Sequence, residues 1–330
     1  MSAKIQTLQD YQTAANDQQE FMHDVLKGLS CENKQIPSKY FYDASGSELF
    51  NQITHHPDYY LTGCELEILT TYKEELSDLC KDQDFNLIEF GPGEGIKTNI
   101  LINQFIKDKL AFTYYTVDIS KKYLESLIAK FHTRLPKLNI VALNSDYLNG
   151  LKWLGLNSRK RNFVLFLGSS IGNFDISGAK KFLQAIRSLL HEGDYILIGF
   201  DLRKNIEVLM RAYNDGAGLT RDFNLNLLKR INKELDANFD LNTFCHYETY
   251  NAYLGAMESY LISLKEQKVS IPALDRSFFF QKFEPIHVES SYKYLESQIS
   301  ALADDSDFKI IKNYSDSKQY FINSLWQVRI

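Results

Sequence analysis

The chain is poor in proline, cysteine and tryptophan: its 330 residues include 6 Pro, 4 Cys and 2 Trp. With so little proline and 24% charged residues, no long disordered tract is expected. Cys31, Cys64, Cys80 and Cys245 are scattered, and no CxxC or Cys/His cluster has zinc-ligand spacing. That argues against a metal site and fits a reducing compartment. No run approaches the ~18 apolar residues of a spanning helix. The polar stretch Met1 to Glu20 lacks the apolar centre of a secretory signal. Together these absences predict a soluble, cytoplasmic protein with no membrane partner. The net charge of -5 lacks the basic balance or stripe of a nucleic-acid binder. What is abundant is apolar and aromatic: 44% hydrophobic residues and 20 Tyr. That supplies a proper core for one large or two modest domains. Tyr suits a polar small-molecule pocket, although most of these Tyr read as strand and core-edge residues.

Residues 1–35 are polar with spaced apolar positions and predict one or two short amphipathic helices. From residue 85 to 200, short apolar runs alternate with helical patterns. Strands are expected at 86–90, 112–117, 139–143, 162–167 and 195–200, with Ser120 as an N-cap. Such alternation implies a parallel sheet with right-handed crossovers. It stops near Asp201. Helices are expected over 202–242 and antiparallel strands over 245–285. A helix near 292–302 and two last strands, joined by a turn at Ser315–Ser317, follow. The plan is a parallel-sheet domain over 65–200 and 290–330, interrupted by a second module from 1–64 and 201–289.

Ligands of open parallel sheets bind beyond the carboxyl ends of the strands. The first end carries Gly91-Pro92-Gly93-Glu94-Gly95 before a helix, where a ligand can approach the backbone closely. The second carries Asp118, suited to ribose hydroxyls. The third carries Asp146-Tyr147, suited to an adenine edge and face. The fourth leads to Gly168 and Asn173. The ordered series fits an adenosine-containing cofactor, either a dinucleotide or S-adenosylmethionine. The third glycine of GxGxxG is replaced by Ile96, and no GxxxxGK[ST] is present. Two extra C-terminal strands also favour a methyltransferase sheet.

Lys39-Tyr40-Phe41-Tyr42-Asp43 through Gly46-Ser47-Glu48-Leu49-Phe50 and Pro57-Asp58-Tyr59-Tyr60 resembles the histidine-specific Nα-methyltransferases, which form hercynine for ergothioneine biosynthesis. The similarity continues at Glu89-Phe90-Gly91, Lys97-Thr98, Phe166-Leu167-Gly168-Ser169, Ile171-Gly172-Asn173, Asp201-Leu202 and Arg211-Ala212-Tyr213-Asn214-Asp215. The resemblance implies an α/β class I S-adenosylmethionine methyltransferase with a Rossmann-like sheet. A second α+β substrate domain would come from the N-terminal segment and a central insertion. It implies Gly91, Lys97, Asp118, Asp146 and Tyr147 at the cofactor, and Tyr59, Asn173 and Tyr213 at the α-amino and α-carboxylate groups. Tyr42, Glu289 and Ser291 would lie around the imidazole.

The chemistry suits these roles. Methyl transfer needs alignment and a neutral amine more than covalent help. The Asn173 amide both donates and accepts. The Tyr59 and Tyr213 hydroxyls can hold a carboxylate without adding net charge. A carboxylate at Glu289 can accept a ring N–H and favour the charged imidazole. Ser291, two residues on, shares its face if the segment is extended. Two departures stand out. Ser259 falls where the family has a pocket Met, which would enlarge or wet the pocket, and the loop at Gly91 lacks the usual Ser/Thr. The His55-His56 pair has no metal spacing and reads as solvent-facing or helix-capping. The expected reaction is up to three methyl transfers from S-adenosylmethionine to L-histidine, by a monomer. The alternatives are another amino acid or an indole amine as substrate, or a cofactor-binding protein without transfer activity.

Overall fold

The structure is a computed structural model that describes residues 4–8 and 14–329. Along the chain run β1 (Lys4–Thr7), α1 (Ala14–Leu29), α2 (Ala44–His55), α3 (Tyr60–Asp78), β2 (Phe85–Phe90), α4 (Ile96–Lys107), β3 (Phe112–Asp118) and α5 (Lys121–Arg134). Then come β4 (Ile140–Asn144), α6 (Tyr147–Asn157), β5 (Arg161–Phe166), α7 (Ile176–Leu189), β6 (Tyr195–Asp201), α8 (Ile206–Tyr213) and α9 (Leu219–Leu235). The last are β7 (Phe244–Asn251), β8 (Ala256–Ser263), β9 (Gln267–Ile271), β10 (Arg276–Phe280), β11 (Pro285–Tyr292), α10 (Glu296–Asp305), β12 (Phe308–Ser315) and β13 (Phe321–Val328). Two compact units result. One comprises β1, Leu61–Arg203 and the chain from Tyr294 onward; the other comprises the described part of Gln12–Tyr60 and Lys204–Lys293.

The first unit is built on one sheet in the order β1-β4-β3-β2-β5-β6-β13-β12. Strands β1 to β6 pair in parallel, and β13 runs antiparallel between β6 and β12. Strands of a parallel sheet are covered on both faces and therefore read as unbroken apolar runs; all six residues of β2 are buried. Helix starts follow from short polar caps. Ser120 accepts from Tyr123 N, Asp146 from Asn149 N and Asp175 from Gly178 N. Each cap is worth about 1 kcal/mol. The β12–β13 hairpin buries Trp326 against Phe200 and Phe308, at 5.8 and 5.7 Å between ring centroids. Its turn is closed by Asp316 Oδ1, which accepts from Tyr320 N and Phe321 N.

The opening segment differs from the helices its spacing predicts. Lys4–Thr7 is a strand, paired with β4 from Lys4↔Val141 to Thr7↔Asn144, and among the described residues α1 is the one helix that follows before residue 36. Four residues carry no usable period, and an open sheet edge supplies the hydrogen bonds that decide their conformation. The segment was expected in the second module, but β1 belongs to the first unit's sheet. Residues 1–3 and 9–13, also within the predicted helices, lie outside the described residues.

The second unit packs α1, α2 and α9 with a three-stranded antiparallel sheet, order β11-β8-β7, and a β9–β10 hairpin. On α9, Phe223, Leu227, Leu228, Ile231 and Leu235 recur at helical spacing and join Phe21, Val25, Phe41, Leu261 and Ile286 in its core. Asp43 caps α2 through Gly46 N and also accepts from Asn226 Nδ2 at 2.8 Å, which ties α2 to α9. A β-bulge between His287 and Glu289 shifts the pairing of β11. Across the sheet, three rows then stand in register: His246, Leu261, Ile286; Glu248, Ser259, Glu289; and Tyr250, Met257, Ser291. Alternation along β8 puts these rows on one face.

Candidate active site

In the first unit, β2 ends in a loop whose Gly91, Gly93 and Gly95 have φ of 62°, 54° and 71°. Side chains avoid that region, so glycine frees this backbone for close approach. A Cβ on Gly91 would stand 2.8 Å from the Tyr147 hydroxyl, so one of the two would have to shift. Lys130 pins the loop through Glu94 at 3.0 Å. Beneath it, Glu89 of β2 accepts from Thr98 Oγ1 and Tyr114 Oη. Burial pushes its carboxyl up to about 7, against the pull of those two bonds and of Lys97.

Asp118 closes β3 and keeps accessible surface, yet protein surrounds it closely enough to lift its carboxyl to about 6. Its Oδ1 accepts from Ser120 N at 2.8 Å, and among the described residues its Oδ2 takes no hydrogen bond. Asp146 and Tyr147, expected as a strand end, instead cap and open α6. Asp146 Oδ1 and Oδ2 accept from Asn149 N and Nδ2. The Tyr147 ring stacks on Phe90, 4.9 Å between centroids and 16° between planes. Burial, with the Asp118 charge, raises its phenol.

Lys97, in the first turn of α4, lies 2.5 Å from Oε2 of the fully buried Glu65. Glu65 also accepts from Gly168 N at 2.9 Å, so α3, α4 and the end of β5 meet at one carboxylate. Ser169, at φ 57°, accepts from Asp201 N through Oγ at 3.1 Å and joins the ends of β5 and β6. Asn173 ends the short 3-10 helix Ser170–Asn173 and is exposed.

In the second unit, the expected side chains fall into two groups. Tyr42 and Tyr59 each meet the Phe50 ring edge-on, at 5.4 and 6.2 Å, and Tyr42 also meets Phe223. Tyr213, Ser291 and Glu289 belong to the three-stranded sheet and its α8 cover. Tyr213 Oη and Ser291 Oγ are 2.7 Å apart. Lys293 Nζ donates to both, at 2.6 and 2.8 Å. Tyr213 and Ser291, expected at opposite ends of an amino acid, are thus one network. Glu289 keeps some accessible surface but is enclosed, and desolvation lifts its carboxyl to about 7, with Lys293 opposing. Glu289 and Ser291 do share a face, paired with Ser259 and Met257.

Three neighbours escaped the sequence reading. Lys293 continues the alternation of Glu289 and Ser291, and that period was the available signal. His246 Nε2 lies 3.2 Å from Tyr213 O, and its Nδ1 3.2 Å from Asn224 Nδ2. The pattern makes Nε2 the protonated nitrogen of a neutral ring, and desolvation lowers the His246 pKa accordingly. Glu248 accepts from Ser259 Oγ at 2.6 Å. Its place is visible only through strand register. Of the dismissed pair, His55 is exposed with Nδ1 2.7 Å from Asn51 O, and His56 is the C-cap of α2. Among the described residues no cluster could hold a metal ion, and no helix is long and apolar enough to cross a membrane.

A parallel sheet ordered β4-β3-β2-β5-β6 and continued by the antiparallel β13-β12 hairpin is the class I S-adenosylmethionine-dependent methyltransferase sheet. The glycine loop after β2 and the acid ending β3 stand where that class expects them. The chain belongs to the histidine-specific, S-adenosylmethionine-dependent methyltransferase family, whose profile matches residues 21–328. The resemblance read from the sequence is borne out. The chain is 34% identical to the histidine N-alpha-methyltransferase of Mycolicibacterium smegmatis, over 89% of this chain and 91% of that one. It is also 34% identical to the enzyme of that name from Mycobacterium tuberculosis, over 84% and 85%. It matches ergothioneine biosynthesis protein 1 of Schizosaccharomyces pombe at 30% identity, over 86% of this chain and 37% of that longer protein.

The first unit fits the cofactor. The left-handed Gly91 backbone, crowded by the Tyr147 hydroxyl, disfavours a side chain, and Asp118 Oδ2, without a hydrogen bond among the described residues, is an enclosed acceptor suited to ribose hydroxyls.

Proposed function

We propose that the protein methylates the α-amine of L-histidine, in up to three transfers that yield hercynine. The observation that carries this reading is the enclosed Glu289 carboxylate beside the Tyr213–Ser291–Lys293 network. A carboxylate of that kind accepts an imidazole N–H and favours the charged ring. The hydroxyls of Tyr213 and Tyr59 suit the α-carboxylate, and the neighbouring Lys293 cation strengthens Tyr213 in that role. Tyr42 would border the ring. On the first unit, Asn173 is assigned the amine, because its amide can accept an N–H and so orient the lone pair. Gly91, Asp118, Asp146 and Tyr147 would hold the cofactor, and Lys97 would act through Glu65 by fixing the loop at Gly168. When bound, S-adenosylmethionine supplies an activated methyl group on sulfur. The protein's part is to present a neutral amine in line with it. The names of the mycobacterial relatives support histidine as substrate.

The test is S-adenosylhomocysteine release measured across the common amino acids, with mass analysis of each product. Histidine gaining three methyl groups is expected. Turnover of a different amino acid, with none of histidine, would overturn the substrate and leave the class of enzyme standing.

A further inference from the structure

Glu248 lies on β7, is 4% exposed, and stands in register with Ser259 and Glu289. Among the described residues, one of its two carboxylate oxygens takes a hydrogen bond. Oε2 accepts from Ser259 Oγ at 2.6 Å, whereas Oε1 is buried and has no hydrogen-bond partner among the described residues. A bare buried acceptor is rare in native proteins and calls for an explanation. His246 does not supply the missing donor: its Nε2 is 4.0 Å from Oε2 and bonds to Tyr213 O. Lys293 acts on Glu248 through its charge, and its Nζ donates to Tyr213 and Ser291.

The Glu289 charge raises the Glu248 pKa, on top of burial. Two acids on one face, separated by one strand, repel each other; Lys293 offsets this in part, and a cation held between the two carboxylates would offset it further. Imidazolium is such a cation, and it carries two ring N–H groups that point in different directions. Indole has one N–H and no charge.

We infer that Glu248 is a second specificity-determining residue, whose Oε1 accepts one side-chain N–H of the amino acid while Glu289 accepts the other. The inference rests on the histidine reading above. Ser259 becomes part of the recognition device: its hydroxyl occupies Oε2 and leaves Oε1 for the substrate. A one-donor ring leaves a buried carboxylate bare, which is the strongest way a polar site rejects an analogue.

The test compares wild type with Glu248→Gln and Glu248→Ala. Kinetics would be run on every amino acid that wild type accepts, and histidine binding would be measured by calorimetry with S-adenosylhomocysteine present. Loss of a hydrogen bond to a charged group should raise the histidine KM and Kd about 10- to 100-fold. The KM for S-adenosylmethionine should not move, kcat should change less than KM, and discrimination against tryptophan should narrow. The melting temperature of the free Glu248→Gln enzyme should not fall. Unchanged histidine KM and discrimination in both variants would overturn the inference. So would a uniform loss across all amino acids together with a lower melting temperature, the mark of a structural role. If wild type prefers another amino acid, the proposed function fails by itself. Glu248 is then judged on that amino acid, and an unchanged KM in both variants overturns it separately.

Discussion

The phenol of Tyr213, at the end of α8, and the hydroxyl of Ser291, on β11, meet at 2.7 Å with the Lys293 ammonium donating to both. A helix end and a strand are thereby fixed to each other through three polar side chains. Tyr213→Phe removes one acceptor of a cation that is only 1% exposed. It should cost about 1–3 kcal/mol of stability and raise the histidine KM about 10-fold or more. Chemical denaturation and steady-state kinetics on the same preparation check both. A variant of wild-type stability and KM would remove Tyr213 from the binding network.

Glu289 gives a second prediction. Glu289→Gln keeps the volume and loses the charge that favours imidazolium. Its kcat/KM for histidine should fall about 10- to 100-fold, with less effect on tryptophan. Competition assays with both amino acids read the ratio directly, and an unaltered ratio would refute the assignment.

The buried Glu89 makes stability depend on pH. Its folded carboxyl sits near 7, against 4.5 for an ordinary glutamate. The folded state therefore holds the proton more tightly. The stabilisation is complete below about pH 4.5 and is lost as pH rises through 7, a difference of about 3 kcal/mol. Asp118, near 6, acts with the same sign. Urea unfolding at intervals from pH 5 to 8 should show a decline that Glu89→Gln flattens in part. Superimposable profiles would show that Glu89 does not titrate in this range.

Gly91→Ala places a methyl group 2.8 Å from the Tyr147 hydroxyl, on a backbone of φ 62°. The left-handed conformation costs a non-glycine residue about 1–2 kcal/mol, and the loop must shift as well. S-adenosylhomocysteine binding, followed by calorimetry, should weaken about tenfold for each 1.4 kcal/mol lost at the loop. Unchanged affinity would mean that the cofactor does not approach Gly91.

Much of the parallel sheet was legible because its strands are covered on both faces and read as apolar runs between glycines and caps. Ser120 is such a cap, and Asp201 does end β6. Strand β1 was not legible: Lys4-Ile5-Gln6-Thr7 has no pattern of its own and becomes a strand through its partner β4. Tyr147 looked like a strand end because the signal for α6, Asp146 followed three residues later by Asn149, is a local hydrogen bond and not a run of residue types. The glycine loop, Asp118 and the shared face of Glu289 and Ser291 followed from spacing. Glu248 did not, since its meeting with Ser259 depends on the register of strands separated by a turn. That information exists only after the sheet forms.

The bulge beside Val288 has a consequence for how substrate choice could change over evolutionary time. On one side of it, Ile286 faces Leu261 in the core; on the other, Glu289 faces Ser259. One surface of the sheet is thus greasy at one end and polar at the other, with the bulge as the seam. Substitutions at the Glu289–Ser259 pair can sample new side-chain preferences without touching the Ile286–Leu261 end, which lies in the unit's core.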